Sequence, residues 1–172
     1  VISTSQNQNR ILMKSIFQFL VLCFSFTLAA QNATKSEVIQ KSLEKKSQMM
    51  QSSLVKNVVF TNIGPTVMSG RVADVAVNLE DTAEFYVGYA SGGLWYTKNN
   101  GTSFIPVLDN SPTQNIGDIA VDWSSGTIWV GTGEKNSSRS SYAGIGMLKS
   151  TNKGATWTNV GLPDSHHISR IL

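Results

Sequence analysis

The chain has 172 residues, 41% hydrophobic and 15% charged, and its formal net charge of +3 is unevenly spread. Residues 1–57 carry seven cations against two carboxylates, whereas residues 58–172 carry seven against nine, so the later part is mildly acidic and nucleic acid is excluded as an expected partner. The only cysteine, Cys23, sits in an apolar leader run, so disulfide and thiol chemistry are excluded from the mature chain.

The first residue is Val1, and Met13 is the expected start, with residues 1–12 ahead of the translated chain. From there "MKSIFQFLVLCFSFTLAA" places Lys14 before an apolar run over 16–28 and then Ala29 and Ala30. Basic, apolar, then small is the order of a secretory signal peptide over 13–30, too short for a membrane span. Removal after Ala30 would leave Gln31 first and no transmembrane segment. The expected location is therefore secreted, periplasmic or cell-surface.

Residues 31–57 are polar and contain neither Gly nor Pro. Val38, Leu43, Met49 and Leu54 are too loosely spaced for a strong apolar helix face, which predicts a short frayed helix or a tether. From Val58 the texture changes to short β-rich runs cut by Gly, Asn, Asp and Pro, an all-β pattern over 58–172. The first of these, "VVFTN" at 58–62, is expected as a ring-closing strand.

A repeat then emerges. "RVADVAVN" (71–78) aligns with "NIGDIAVD" (115–122), placing Asp74 over Asp118. "FYVGYA" (85–90) aligns with "IWVGTG" (128–133), and "GLWYT" (93–97) with "GMLKS" (146–150). The second copy holds about ten extra residues between Glu134 and Gly144, and "SRI" (169–171), set over "GRV" (70–72), opens a third. Four short strand patterns per copy predict β-propeller blades of four antiparallel strands, A to D from the axis outward. Blade 1 covers about 71–108, blade 2 about 115–160, and blade 3 begins at about 168.

Each copy closes with the same turn. Thr97, Asn99, Gly101, Ser103 and Phe104 match Ser150, Asn152, Gly154, Thr156 and Trp157. Asn can close an Asx-turn, and Gly supplies the positive φ of a tight hairpin. The hydroxyls tie loop backbone, and the aromatic ring buries apolar area beneath the turn. None is a good acid, base or metal ligand, so the turn reads as a clasp between strands C and D rather than a reaction site.

"SxNxGxTW", within the longer run "GPTVMSGRVADVAV…YVGYASGGLWYT…GDIAVD…WVGTGE", resembles the Asp-box (BNR) repeat. It is similar to secreted bacterial Asp-box propellers related to the sortilin receptors and to xyloglucan-degrading glycosidases. The resemblance covers about residues 58–172 and implies a propeller of which this is an N-terminal piece. The family's usual acidic turn residue is Asn99 and Asn152 here, which keeps the Asx-turn and loses the charge. The glycosidase relatives carry an acid in the turn before a "GG" pair in the first blade. Here that turn reads Ala90-Ser91-Gly92-Gly93, with no carboxylate.

In an antiparallel blade the A–B and C–D turns share one face of the disc, and the B–C and D–A connections share the other. The insertion, "GPTVMSG" (64–70), "DNSPTQ" (109–114) and "GLPDSHH" (161–167) all fall on the face away from the clasps, where loops on a rigid frame concentrate sites. Ligand-binding candidates there are Arg71, Glu134, Arg139, Tyr142, His166 and His167. Arg71 points into the funnel or salt-bridges a neighbouring loop. Glu134 is an acid, a cation holder or a solvated loop carboxylate. Tyr142 offers a sugar-stacking platform or pins the insertion. Adjacent His166 and His167 alternate sides in a strand, so no metal site is expected, and no cofactor. Asp74 and Asp118, equivalent in successive copies, read as acceptors of neighbouring backbone N–H groups, not as the facing pair that glycosidases need. The expected function is an exported ligand-binding or interaction scaffold, sortilin-like, for an extracellular peptide or polysaccharide. The alternatives are a glycoside hydrolase with its acids largely outside this sequence, and a surface-assembly module.

Overall fold

The computed structural model describes residues 12–19, 34–59, 70–136 and 141–172. The chain divides into two compact units, Val1–Thr34 and Lys35–Leu172. In the first, residues 12–19 are helical, and the rest of the expected leader lies outside the described residues. Among the described residues no helix is long and apolar enough to cross a membrane.

The second unit begins with a helix, Ser36–Ser52, that is 17 residues long and buries none of them. It is longer than its loose apolar spacing suggests. Without Gly or Pro to break it, and with Glu37 in its first turn against the positive end of the dipole, it needs no packed face to run on. Most of 58–62 and of 64–70 lies outside the described residues, including the expected closing strand.

Two four-stranded sheets follow. The first holds β1 (Val72–Val77), β2 (Phe85–Tyr89), β3 (Gly93–Thr97) and β4 (Ile105–Pro106). The second holds β5 (Ile116–Asp122), β6 (Thr127–Thr132), β7 (Met147–Ser150) and β8 (Thr158–Gly161). Strand order follows chain order in both, and every neighbour is antiparallel. The fold is all-β, built as two propeller blades. Registers match between copies: Asp74 faces Gly88 and Asp118 faces Gly131, each just after a β-bulge.

The two C–D turns bond alike. Thr97 Oγ1 donates to Asn99 Oδ1 at 2.9 Å and accepts from Gly101 N at 3.0 Å; Ser150 Oγ does the same with Asn152 Oδ1 at 2.9 Å and Gly154 N at 2.9 Å. The Asn oxygen then accepts Ser103 N in one turn and Thr156 N in the other. One hydroxyl and one amide thus satisfy the loop's inward N–H groups. The second clasp also reaches across the seam, where Trp157 Nε1 donates to Val107 O at 2.8 Å.

Between the sheets lies an apolar core of Tyr86, Leu94, Leu108, Ile116, Ile119, Ile128, Val130 and Leu148. Tyr86 stacks at 4.8 Å on Tyr96 and at 5.4 Å on Trp123, and burial pushes its hydroxyl up to about 12. Glycine one residue before the end of each B strand leaves room for the next blade. A Cβ on Gly88 would lie 3.2 Å from Ile116 Cγ2, and one on Gly131 would lie 2.5 Å from Ile168 Cγ2.

Each A strand also carries a carboxylate that bonds the following one. Asp74 Oδ2 accepts Ile119 N at 3.2 Å, and Asp118 Oδ2 accepts Ile171 N at 2.7 Å. These bonds set Ile171 over Ile119 and Ile168 over Ile116. The third copy is therefore displaced by three residues from the alignment of "SRI" with "GRV", because Ile168, not Ile171, fills the pocket above the B-strand glycine. Arg170 then occupies the position held by Asp74 and Asp118.

Two outcomes follow from this packing. Gly131→Ala is expected to cost about 1–3 kcal/mol in urea denaturation of the full chain, and Gly88→Ala distinctly less, because its neighbours stand further off. Equal costs would contradict the seam geometry. In the β5–β6 turn, the hydroxyls of Ser124 and Ser125 both donate to Asp122 at 2.6 Å, drawing its carboxyl down to about 2 from 3.8. Its folded-state value is depressed, so its contribution is full above 3.8 and is lost as pH falls through about 2. Asp122→Ala should flatten the pH dependence of unfolding in that window and leave it unchanged at neutral pH.

Candidate functional site

The B–C and D–A connections meet at the end of the blades opposite the clasps. Arg71, just before β1, and Glu134, just after β6, come from different blades and 63 residues apart, yet they pair. Arg71 Nε donates to Glu134 Oε1 at 2.7 Å, and Nη2 donates to the same oxygen. The arginine side chain is 44% exposed and the glutamate side chain is fully buried. Glu134 Oε2 is buried and has no hydrogen-bond partner among the described residues.

Glu134 is thus not the solvated loop carboxylate that its place after "GTG" suggests. The chain turns at Gly133 with φ 89°, where any Cβ would collide with the His166 carbonyl oxygen. Glu134 is left against the connection leading to the third copy. Its N–H donates to Tyr142 O at 3.1 Å, and its carbonyl lies 2.9 Å from His167 Nδ1. A carbonyl can only accept, so Nδ1 carries the proton of that bond.

A second pair lies beside the first. Lys135 Nζ is 2.9 Å from Asp118 Oδ1 and donates to Ser169 O at 3.2 Å. Again the base is the more exposed partner, 27% against 4%. The feet of the insertion are pinned: Asn115 Nδ2 donates to Ala143 O at 3.0 Å, Gly144 N to His166 O at 2.7 Å, and Ile145 N to Thr132 Oγ1 at 2.7 Å.

The structure therefore brings Arg71 and Glu134 into direct contact. It ties Tyr142 to Glu134 through main chain, and the tyrosine as a whole is 54% exposed. His166 is half-buried and engages through its carbonyl, while Arg139 lies outside the described residues. His167, a sequence candidate, and Lys135, which was not one, complete the cluster. The three-residue shift gives His167 its place in the repeat: with Ile168 over Ile116, His167 falls over Asn115 and Arg71. One rim position in three successive copies is then Arg71, Asn115 and His167, each a side-chain donor.

The carboxylates divide into committed ones. Asp74 is held by Val75 N and Ile119 N, and Asp118 by Lys135 and Ile171 N. Near the clasp face, the Tyr96 hydroxyl and Asn78 Nδ2 donate to Glu84 and hold its carboxyl below the usual range. Among the described residues no group of three His, Cys, Asp or Glu converges as a metal site. The open groove along the Ser36–Ser52 helix, lined by Glu37, Lys41, Asn159 and Pro163, contains none of the candidate residues.

No protein-family model matches the chain, and no curated protein does either. Among solved structures it is similar to an ancestral GH74 enzyme, at 24% identity and a TM-score of 0.43, over 54% of this chain and 13% of that one. It is similar also to a GH74 enzyme of Niastella koreensis (23%, 0.41, over 54% and 14%) and to the GH74 xyloglucanase of Xanthomonas campestris (17%, 0.39, over 51% and 15%). The chain spans about one seventh of the length of these proteins, and at such scores no activity carries across.

Breaking the first pair from one side should be worse than removing it whole. Arg71→Met leaves a buried carboxylate without its cation and is expected to lose about 3 kcal/mol of stability. Arg71→Met combined with Glu134→Met should lose less than half as much in the same denaturant titration. A double variant as unstable as the sum of the singles would show that the two side chains are not coupled.

Proposed function

We propose that this chain is part of an exported propeller whose insertion face holds an extracellular peptide or polysaccharide without turning it over. The observation that carries this reading is the Arg71–Glu134 pair, which presents a half-exposed guanidinium fixed from beneath by a buried acid. A planar donor set held by one partner and open on its other edge suits recognition. Tyr142 adds an exposed aromatic face within the same loop. The signal-like run over 13–30 supports export, and the likeness of the clasps to the Asp-box repeat supports a sortilin-like scaffold.

The chemistry favours binding over hydrolysis. Glycoside cleavage needs two carboxylates on opposite sides of one sugar bond, one of them able to deliver a proton. Of the acids near this rim, Asp74 and Asp118 are spent on backbone and lysine, and Glu134 lies behind its arginine. The turn Ala90-Ser91-Gly92-Gly93 contributes none.

The test is an array of extracellular glycans and peptides probed with the full chain. Binding to at least one class is expected, with Tyr142→Ala weakening it about tenfold, the worth of one stacked ring. Absence of binding to every member would end the proposal. Release of reducing ends from any glycan would replace it with the glycoside hydrolase reading.

A further inference from the structure

The helix Ser36–Ser52 sorts its side chains between two sides. Glu37 and Glu44, its only acids, share a groove with Asn159, Gly161 and Pro163 at the outer strand of the second blade. Lys45, Lys46, Met49 and Met50 share another groove, with Ser42 and Ser53. At 3.6 residues per turn the two sets point in opposite directions from the helix axis. The helix buries none of its residues, and Val38, Met49 and Met50 are each more than half exposed.

The stretch beyond the helix continues the pattern. It closes as successive turns, with Lys56 N donating to Ser53 O at 3.2 Å and Val58 N to Val55 O at 2.9 Å. Leu54 at the turn is fully exposed, and Val55, Val58 and Val59 are more than half exposed. From Lys45 to Val59 the chain has the lysines 45, 46 and 56 and no carboxylate, and the next acid is Asp74. Single exposed apolar side chains are ordinary on a protein surface. Met49, Met50, Leu54, Val55, Val58 and Val59 come from one short stretch bordered by lysine, and so form a patch.

We infer that residues 45–59 bind an anionic lipid surface, with Met49, Met50 and Leu54 entering the headgroup boundary and Lys45, Lys46 and Lys56 against lipid phosphates. The inference goes beyond the ligand-binding reading, which concerns the insertion face. Apolar side chains leave water on insertion, while lysine stems lie along the apolar surface and carry their ammonium groups to the phosphates. Glu37 and Glu44 stand on the opposite side of the helix and do not repel that surface. A second copy is disfavoured, since twofold pairing of this face would set Lys45 and Lys46 against their own counterparts. A protein partner would need a pocket shaped for Leu54 at its turn, whereas a lipid surface needs no matching shape.

The experiment is flotation of the full chain with vesicles of phosphatidylcholine alone or with about one third phosphatidylglycerol. Binding to the anionic vesicles is expected, falling at least tenfold between about 50 and about 500 mM salt. Lys45→Gln with Lys46→Gln should weaken it about tenfold or more with unchanged melting. Lys98→Gln, at an exposed lysine of the first clasp, should leave it unchanged. To separate this face from the apolar run over 13–30, a polarity-sensitive dye is attached at Leu54→Cys in a Cys23→Ser chain. Its emission should shift to the blue on anionic vesicles, and the same dye at Thr102→Cys should not shift. An unshifted dye at position 54, or a double lysine variant that floats like the parent, would overturn the inference. Equal flotation with both kinds of vesicle would do the same. A lipid-free dimer abolished by Met50→Ser would give the face to a second copy, and tighter binding to polyglutamate than to the vesicles would give it to an acidic protein.

Discussion

The second blade hangs from the first by its innermost strand, and the rest of the described fold depends on that seam. Two features make it. A carboxylate in each A strand accepts a backbone N–H of the next A strand, and a glycine in each B strand leaves a hollow for the isoleucine that opens the following copy. The first fixes the register between blades, since a slip of one residue would strip each carboxylate of its backbone partner. The second fixes their separation, since only the isoleucine side chain stands between strand and strand. Both features recur at the boundary with residues 168–171.

Arg71 reaches Glu134 only because that seam is tight. The two residues come from successive blades, and neither blade alone holds the pair. Burying a carboxylate is costly unless a cation and hydrogen bonds accompany it, so the seam and the pair support each other. The result is a rim on which bases are held outward by acids below. The clasps at the opposite end serve another purpose. Their hydroxyl and amide groups are consumed by their own loop, and Trp157 is consumed by Val107 across the seam. They hold strands together and leave nothing free for chemistry.

Much of this was legible in the chain. The repeated clasp, the equivalent Asp74 and Asp118, and the alternation of short β-runs with turns are local patterns. Local patterns translate directly into hairpins and strands. Glu134 was misread because its neighbours, Gly, Thr, Lys and Asn, look like a solvated loop. Its burial comes from residues 166–168 closing over it, more than thirty positions later. The equivalence of His167 with Arg71 and Asn115 was hidden for a similar reason. The third copy offers only five residues to align, and "SRI" over "GRV" matches better by letter than by position. The helix Ser36–Ser52 shows the reverse case, a segment whose backbone preference alone suffices where no apolar face exists.

By itself the sequence determined the unit: four short antiparallel strands, closed by an Asn-Asn-Gly or Asn-Lys-Gly clasp and written twice with a third begun. It could do so because hydrogen bonds within a hairpin are set by residues a few places apart. Which acids are buried, which bases face outward, and which rim positions are equivalent were decided only by the tertiary structure. Those properties depend on how one blade lies on the next, and the energy of a charge depends on what surrounds it rather than on what precedes it in the chain.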